Sequence, residues 1–221
     1  MKRPPWADAT GGVVADEQMS NDEAAVSLFN WRVELPVLSG RAVTLREPVG
    51  SDRDALLEVL SLPDATRFDL DGPLGPSAVQ RLIDRAWRDR AAGVAFTYAI
   101  ALATTRTIVG LIQVRQLDPI FETAAWECTL LPHARGTGTF YDAAHLVGSF
   151  AFAAAGASRL EARVDVDNGR AKAALRKLGG VQEGILRRST RRGPAFIDQA
   201  LWAVLKDSWD SCATPPAVVV H

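Results

Sequence analysis

Cysteine and histidine are scarce in this chain, with two cysteines and three histidines in 221 residues. Cys128 and Cys212 make no disulfide framework and neither belongs to a Cys-x-x-Cys pair. A disulfide-stapled secreted fold is therefore excluded, and a reducing cytoplasm is the default expectation. His133, His145 and His221 are scattered and share no ligand spacing with the cysteines, so no metal site is expected. Excess charge of either sign is missing too. Twenty-five basic residues against 26 acidic ones give a net charge of −1, without a bulk pull toward nucleic acid or an anionic membrane. No apolar run approaches the roughly 18 residues of a membrane-spanning helix. The opening Met1-Lys2-Arg3-Pro4-Pro5 leads into no apolar signal core. No period of about 20–50 residues recurs, which argues against solenoids and propellers.

What is present is the composition of one well-buried domain, 48% hydrophobic and 23% charged. Residues 1–39 read as an N-terminal arm, loose and mildly acidic at first, with a patch around Leu28-Phe29-Asn30-Trp31 and Leu35-Pro36-Val37-Leu38 suited to docking. Residues 40–210 read as the domain and 211–221 as a tail. Within the domain, strand-like and helix-like runs alternate in the order β-α-α-β-β-β-α-β-α-β-β. A helix opening at Ser51 precedes an Asp- and Pro-rich loop from Asp64 to Pro76. Ser77-x-x-Gln80 has the form of a capping box for a second helix that stops at Gly93. Thr104-Thr105-Arg106 suits a hairpin turn. The expected fold class is α/β, with a mixed sheet flanked by helices.

The most informative stretch is His133-Ala134-Arg135-Gly136-Thr137-Gly138-Thr139-Phe140, between a strand ending at Leu130-Leu131 and a helix. Glycines there let the backbone turn tightly and approach a ligand. The orphan N–H groups of the helix start would face an anion. Thr139 and Asp142 could cap that helix. A plain turn is one reading of this corner. A dinucleotide fingerprint would need a third glycine where Tyr141 stands, and a Walker A loop would need a lysine that is absent. A coenzyme A site needs only the Gly-x-Gly turn.

His-Ala-Arg-Gly-Thr-Gly resembles the Arg/Gln-x-x-Gly-x-Gly/Ala motif of the GNAT superfamily of acetyl-CoA-dependent N-acetyltransferases. Asn168-Gly169-Arg170-Ala171, running on to Lys177-Leu178-Gly179-Gly180, is similar to the family's Asn-x-x-Ser/Ala…Lys-Leu-Gly-Phe segment. Val43-Thr44-Leu45-Arg46, Phe196-Ile197-Asp198-Gln199 and Trp209 also match, and the resemblance, to the RimJ/RimL-type branch, spans roughly residues 35–210. It implies a twisted, mostly antiparallel sheet flanked by helices, with acetyl-CoA as cosubstrate and an amine as acceptor. It implies that His133 and Arg135 to Phe140 clasp the pyrophosphate: Arg135, Gly136, Thr137, Gly138, Thr139 and Phe140. Leu130 and Leu131 would offer backbone groups to the pantetheine arm, and Asn168 would position it. Lys177 or Arg170 would meet phosphates. The sequence departs from the family at Gly180, where Phe is usual. It also departs at Leu175 and Ala171, where many members carry the Tyr or Ser that protonates the departing thiolate.

Direct attack by an amine calls for a base. Glu127, in Ala125-Trp126-Glu127-Cys128-Thr129, is the candidate; a structural ion pair is the competing reading. Strand alternation places Glu127, Thr129 and Leu131 on one face and Trp126, Cys128 and Leu130 on the other. Cys128 reads as a small buried residue rather than a nucleophile. Asp198 is a second acid, more in keeping with a structural role. An α-amine, with pKa about 7.8, is far more often neutral near pH 7 than a lysine at about 10.4, which favours a protein N-terminus as acceptor. A small-molecule amine and a non-catalytic acyl-CoA-binding module are the alternatives. Residues 170–192 hold eight basic residues against Glu183 alone, readable as solvated faces or a phosphate contact. Without interleaved aromatics they make a poor nucleic-acid site. A homodimer is compatible with all of this.

Overall fold

A computed structural model of the chain describes residues 30–63, 65, 68 and 73–209. One compact unit begins at Trp31. The earlier arm, the tail from 211 and the loop acids Asp69 and Asp71 lie outside the described residues.

Residues 31–39, expected as the docked end of the arm, are built into the domain. Trp31, Leu35 and Leu38 are buried, and Leu38–Ser39 forms the first strand, β1. There follow β2 (Val43–Arg46), α1 (Arg53–Leu60), α2 (Pro76–Ala92), β3 (Ala95–Leu102), β4 (Ile108–Gln116) and β5 (Thr123–Leu130). The second half comprises α3 (Thr139–Phe150), β6 (Arg159–Asp165), α4 (Gly169–Lys177), β7 (Val181–Arg192) and β8 (Ala195–Leu205). Among the described residues these strands form one eight-stranded sheet in the order β1-β2-β3-β4-β5-β6-β8-β7. Every neighbouring pair is antiparallel except β5 and β6. The mixed sheet expected from the alternation of elements is thus the one observed.

Two helix starts differ from expectation. Pro76 occupies the first turn of α2, where its fixed φ suits a helix and its missing N–H costs nothing. This sets the start one residue early, so Ser77 is already helical and the expected capping box does not form. Gln80 Nε2 donates instead to Asp84 Oδ1 at 2.9 Å. At α3 the N-cap is Gly138 and no side chain caps the helix. Asp142 accepts from the Ala42 and Val43 N–H groups at 2.7 and 3.1 Å, tying the first turn of α3 to β2.

Each face of the sheet is covered. Leu56, Val59, Val79 and Ile83 of α1 and α2 pack with Leu111 and Leu131 of β4 and the end of β5. On the opposite face, Phe150 of α3 meets Phe96 of β3 edge-on at 5.2 Å, and Trp31 meets the same ring at 5.5 Å. β3 is buried along nearly its whole length, as a strand covered on both sides should be.

The sheet is incomplete at one place. β5 and β6 pair in parallel only through Thr123↔Arg159, Ala124↔Leu160 and Ala125↔Glu161. Beyond Ala125 each strand keeps its outer partner, β4 or β8, but the two do not pair with each other. Arg159 pins the closed end, with Nε on Glu161 at 3.0 Å and two nitrogens on Glu183 at 2.9 and 2.5 Å. Hydrogen bonding to Glu183 raises the Arg159 pKa and holds the Glu183 carboxyl below its usual range.

Candidate active site

The gap between β5 and β6 is the candidate site. Leu131 N–H donates to Val109 O at 2.8 Å, which fixes the alternation of backbone groups along β5. The backbone N–H and C=O of Trp126, Cys128 and Leu130 therefore point away from β4, toward β6. In the paired region Ala124 lies opposite Leu160, so Trp126, Cys128 and Leu130 share a face with Ala162 and Val164. Glu127 and Thr129 share the other face with Arg163 and Asp165. The alternation read from the sequence is thus the observed one.

A cavity of about 130 Å³ passes through this gap. From the α3 and α4 side it is lined by the apolar side chains of Ile112, Trp126, Phe140, Ala162 and Leu175, with the Cys128 thiol and, at the start of α4, Asn168. From the α1 and α2 side it is lined by Phe68, Glu127, Thr129, Asp165, Arg192 and Gln199. The passage is largely apolar on one face of the sheet and largely polar on the other. Glu127 is half-buried in its wall.

The glycine corner stands at the open end of the gap. Gly136 and Gly138 have φ of +82° and +90°, a conformation glycine adopts without strain. A Cβ added to either would meet nothing within 4 Å, so the space before the corner is open. The side chains of the corner turn inward. Arg135 Nε donates to Leu130 O at 2.8 Å, and the Thr137 hydroxyl donates to Ala134 O at 2.8 Å. The first backbone bond of α3 runs from Asp142 N–H to Gly138 O. The N–H groups of Thr139, Phe140 and Tyr141 thus have no partner within the helix, and the helix dipole adds to their positive field. His133 is exposed on the short turn before the corner.

The remaining candidates divide. Asn168 lies at the cavity and caps α4, its Oδ1 accepting from Ala171 N–H at 3.0 Å. Leu130 and Leu131 are buried at the end of β5, where the Leu130 carbonyl already accepts from Arg135. Lys177 is exposed at the far end of α4 and does not line the cavity. Asp198 accepts from Arg188 N–H at 2.7 Å, holding the irregular backbone of β7 where Arg188 has φ of +52°. Its role there is structural. The basic stretch is partly consumed as well: Arg176 lies over the Trp202 ring and Arg188 over that of Phe196. Leu175 and Ala171 face the cavity, so those two positions put only aliphatic groups into it. Gly180, where Phe is usual in the family, packs so that a Cβ would lie 2.8 Å from the Leu175 carbonyl.

Sequence reasoning missed the polar wall opposite the glycine corner. Arg192 Nη2 donates to Asp165 Oδ2 at 2.6 Å, and Gln199 Nε2 to Asp165 Oδ1 at 3.0 Å. Ser189 Oγ donates to Gln199 Oε1 at 2.8 Å. These residues come from β6, β7 and β8 and meet only through the register Asp165↔Gln199. The signal in the sequence was the polar pair Asp198-Gln199 within a strand whose other residues are all apolar, Ala195–Leu205.

Among the described residues, no helix is long and apolar enough to cross a membrane, and no group of three or more His, Cys, Asp or Glu could hold a metal ion. The fold recurs in solved acetyltransferases. RimJ from Mycobacterium smegmatis, in complex with CoA-disulfide, superposes with a TM-score of 0.66 at 18% identity, over 77% of this chain and 88% of that one. The ribosomal-protein-S5-alanine acetyltransferase from Vibrio fischeri does so with 0.66 at 18%, over 78% and 98%. The microcin C7 self-immunity acetyltransferase MccE, in complex with acetyl-CoA and AMP, gives 0.62 at 18%, over 74% and 92%. No curated protein matches the sequence. The acetyltransferase (GNAT) domain pattern, however, matches residues 42–181, well over half the chain, and takes in the glycine corner, the split strands and α4. With that pattern laid over this fold, the chain belongs to the GNAT acetyltransferase family.

Proposed function

We propose that the protein transfers an acetyl group from acetyl-CoA to a primary amine by direct attack. The observation that carries this reading is the gap in the sheet, which joins an open glycine corner on one side to Glu127 and a polar wall on the other. The chain's own groups fit the cosubstrate. The outward N–H groups of the corner suit its pyrophosphate. The backbone groups of Cys128 and the N–H of Leu130, on the edge of β5 that β6 leaves unpaired, suit an extended pantetheine arm, received as an added strand would be. When bound, acetyl-CoA supplies the activated acyl group as a thioester.

Glu127 acts as the base. Its carboxylate lies on the polar face of the passage, where it takes the proton of the incoming ammonium, directly or through one water. Leu175 and Ala171 bring no acid to the leaving thiolate, and at a thiol pKa of about 8.5 none is required near neutral pH. Thr129 and the Asp165–Arg192–Gln199 wall orient the acceptor. The acceptor is a protein N-terminal α-amine, whose lower pKa eases the demand on a single base. The similarity in fold to a ribosomal-protein-S5-alanine acetyltransferase supports a protein as acceptor.

The test is acetyl transfer to a panel of N-terminal peptides, lysine peptides and small amines, with acetyl-CoA as donor. Transfer to N-terminal peptides alone supports the reading. Transfer only to small amines would replace the acceptor class, and binding of acetyl-CoA without transfer to any amine would indicate a non-catalytic module.

A further inference from the structure

Trp126 occupies a particular place in the gap. It is the first residue of β5 beyond the last pair with β6, Ala125↔Glu161, and so stands at the closed end of the passage. The glycine corner is at the other end. From Trp126 to Leu131 is five strand steps, or about 16 Å. A ligand held by its phosphates at the corner and extended along β5 brings its far end to the indole.

The indole is 5% exposed although it lines a cavity, and its N–H has no hydrogen-bond partner. Packing therefore holds it. Its ring meets that of Trp209 edge-on at 6.5 Å. Trp209 is itself stacked on His145 at 5.3 Å, tilted against Phe152 at 5.2 Å and hydrogen-bonded through Nε1 to Ser149 Oγ at 3.1 Å. Gly148 of α3 lies so close to the Trp209 ring that a Cβ there would collide with it. Trp209, the ring beneath Trp126, is thus braced by His145, Ser149, Phe152 and the backbone at Gly148, and a Trp126 ring swinging aside to lengthen the cavity would have to displace it.

Resting on the acetyl-CoA reading above, we propose that Trp126 sets the acyl-chain length this enzyme accepts, closing the end of the passage so that a two-carbon acyl group fits and longer straight chains do not. Each added methylene must then displace a buttressed aromatic ring, and overpacking of that kind is unfavourable.

The experiment is isothermal titration of the full-length protein with CoA, acetyl-CoA and butyryl-CoA, followed by transfer rates from the two thioesters. It uses the wild type, Trp126→Phe and Trp126→Ala. The wild type should bind CoA and acetyl-CoA and disfavour butyryl-CoA by about tenfold or more, the range expected for methylenes in an apolar pocket. Trp126→Ala should reduce or invert that preference, read as the ratio of butyryl-CoA to acetyl-CoA affinity within the same variant. Trp126→Phe, which also removes an unpartnered donor, should fold as the wild type does and show an intermediate preference, so the test holds even if the alanine variant fails to fold. Equal wild-type affinity for acetyl- and butyryl-CoA, or a preference unchanged in both variants, would overturn the proposal while leaving the acetyltransferase reading intact. Absence of CoA binding in the wild type would overturn both.

Discussion

The two faces of the sheet meet at the same gap and are built on different principles. On the α3 and α4 face the site consists of backbone and apolar surface: the corner at Gly136 and Gly138, the unpaired edge of β5, and Trp126, Ala162 and Leu175. On the α1 and α2 face it consists of side chains borrowed from separate strands: Glu127 of β5, Asp165 of β6, Arg192 of β7 and Gln199 of β8. A backbone-built half requires little beyond glycine at two positions. A side-chain-built half depends on register, and each member can be exchanged to change the acceptor. On the proposed reading, the difference lets one fold keep a donor site while its acceptor varies.

The largest effect that would break this division lies on the backbone side. Gly138→Val places a branched side chain at φ +90° in the open space before the corner. Binding of acetyl-CoA should fall below detection by calorimetry while the circular dichroism spectrum stays that of the folded protein. Retained affinity would show that the corner is an ordinary turn.

Next in size is Glu127→Gln. Loss of a general base should lower kcat by about 10²–10⁴, with acetyl-CoA affinity unchanged. An unaltered kcat would mean that Glu127 is held there as one half of an ion pair. Asp165→Asn should act more mildly and only on the acceptor side, since it weakens the contacts that hold Arg192 and Gln199 in place. Steady-state kinetics should give a raised KM for the acceptor and an unchanged KM for acetyl-CoA. A change in both would mean that the two halves are not independent.

The corner was legible because glycine at positive φ and a strand-to-helix junction leave a mark in a local string of residues. Most of the strands and helices were legible for the same reason, through periodicity and through Gly93, which ends α2 at φ of +74°. The polar wall was not legible. Asp165 and Gln199 are far apart in sequence, and only the antiparallel register of β6 and β8 makes them neighbours. The capping box at Ser77 misled because Pro76 competes for the same turn. Segment 31–39 was legible as an apolar patch suited to docking, and Trp31, Leu35 and Leu38 are buried, but its two-residue strand is too short to leave a period in the sequence.

The smallest expected effect is a control far from either face of the gap. Asp52 accepts two hydrogen bonds from Arg46, both at 2.7 Å, and one from Val49 N–H at 2.9 Å. Burial pushes its carboxyl up, but these partners outweigh burial and hold the pKa below the ordinary value. Because the folded pKa is the lower one, the pair stabilises fully above the unfolded value of about 3.9. That contribution fades as pH falls through the folded value. Asp52→Asn should cost about 1–3 kcal/mol of stability at pH 7, with the difference from wild type shrinking in acid and acetyl-CoA affinity unaffected. Chemical denaturation at pH 7 and pH 3 reads both effects, and a pH-independent difference would contradict the assignment.

The most direct test of the central claim is a thermal-shift titration of the wild type with acetyl-CoA, beside NAD and ATP at the same salt. A ligand that binds only the folded state at 100 times its Kd stabilises it by about 2.7 kcal/mol, a readily resolved rise in Tm. The gap-and-corner account predicts that rise with acetyl-CoA and its absence with NAD and ATP. No shift with acetyl-CoA, or an equal shift with all three, would contradict it.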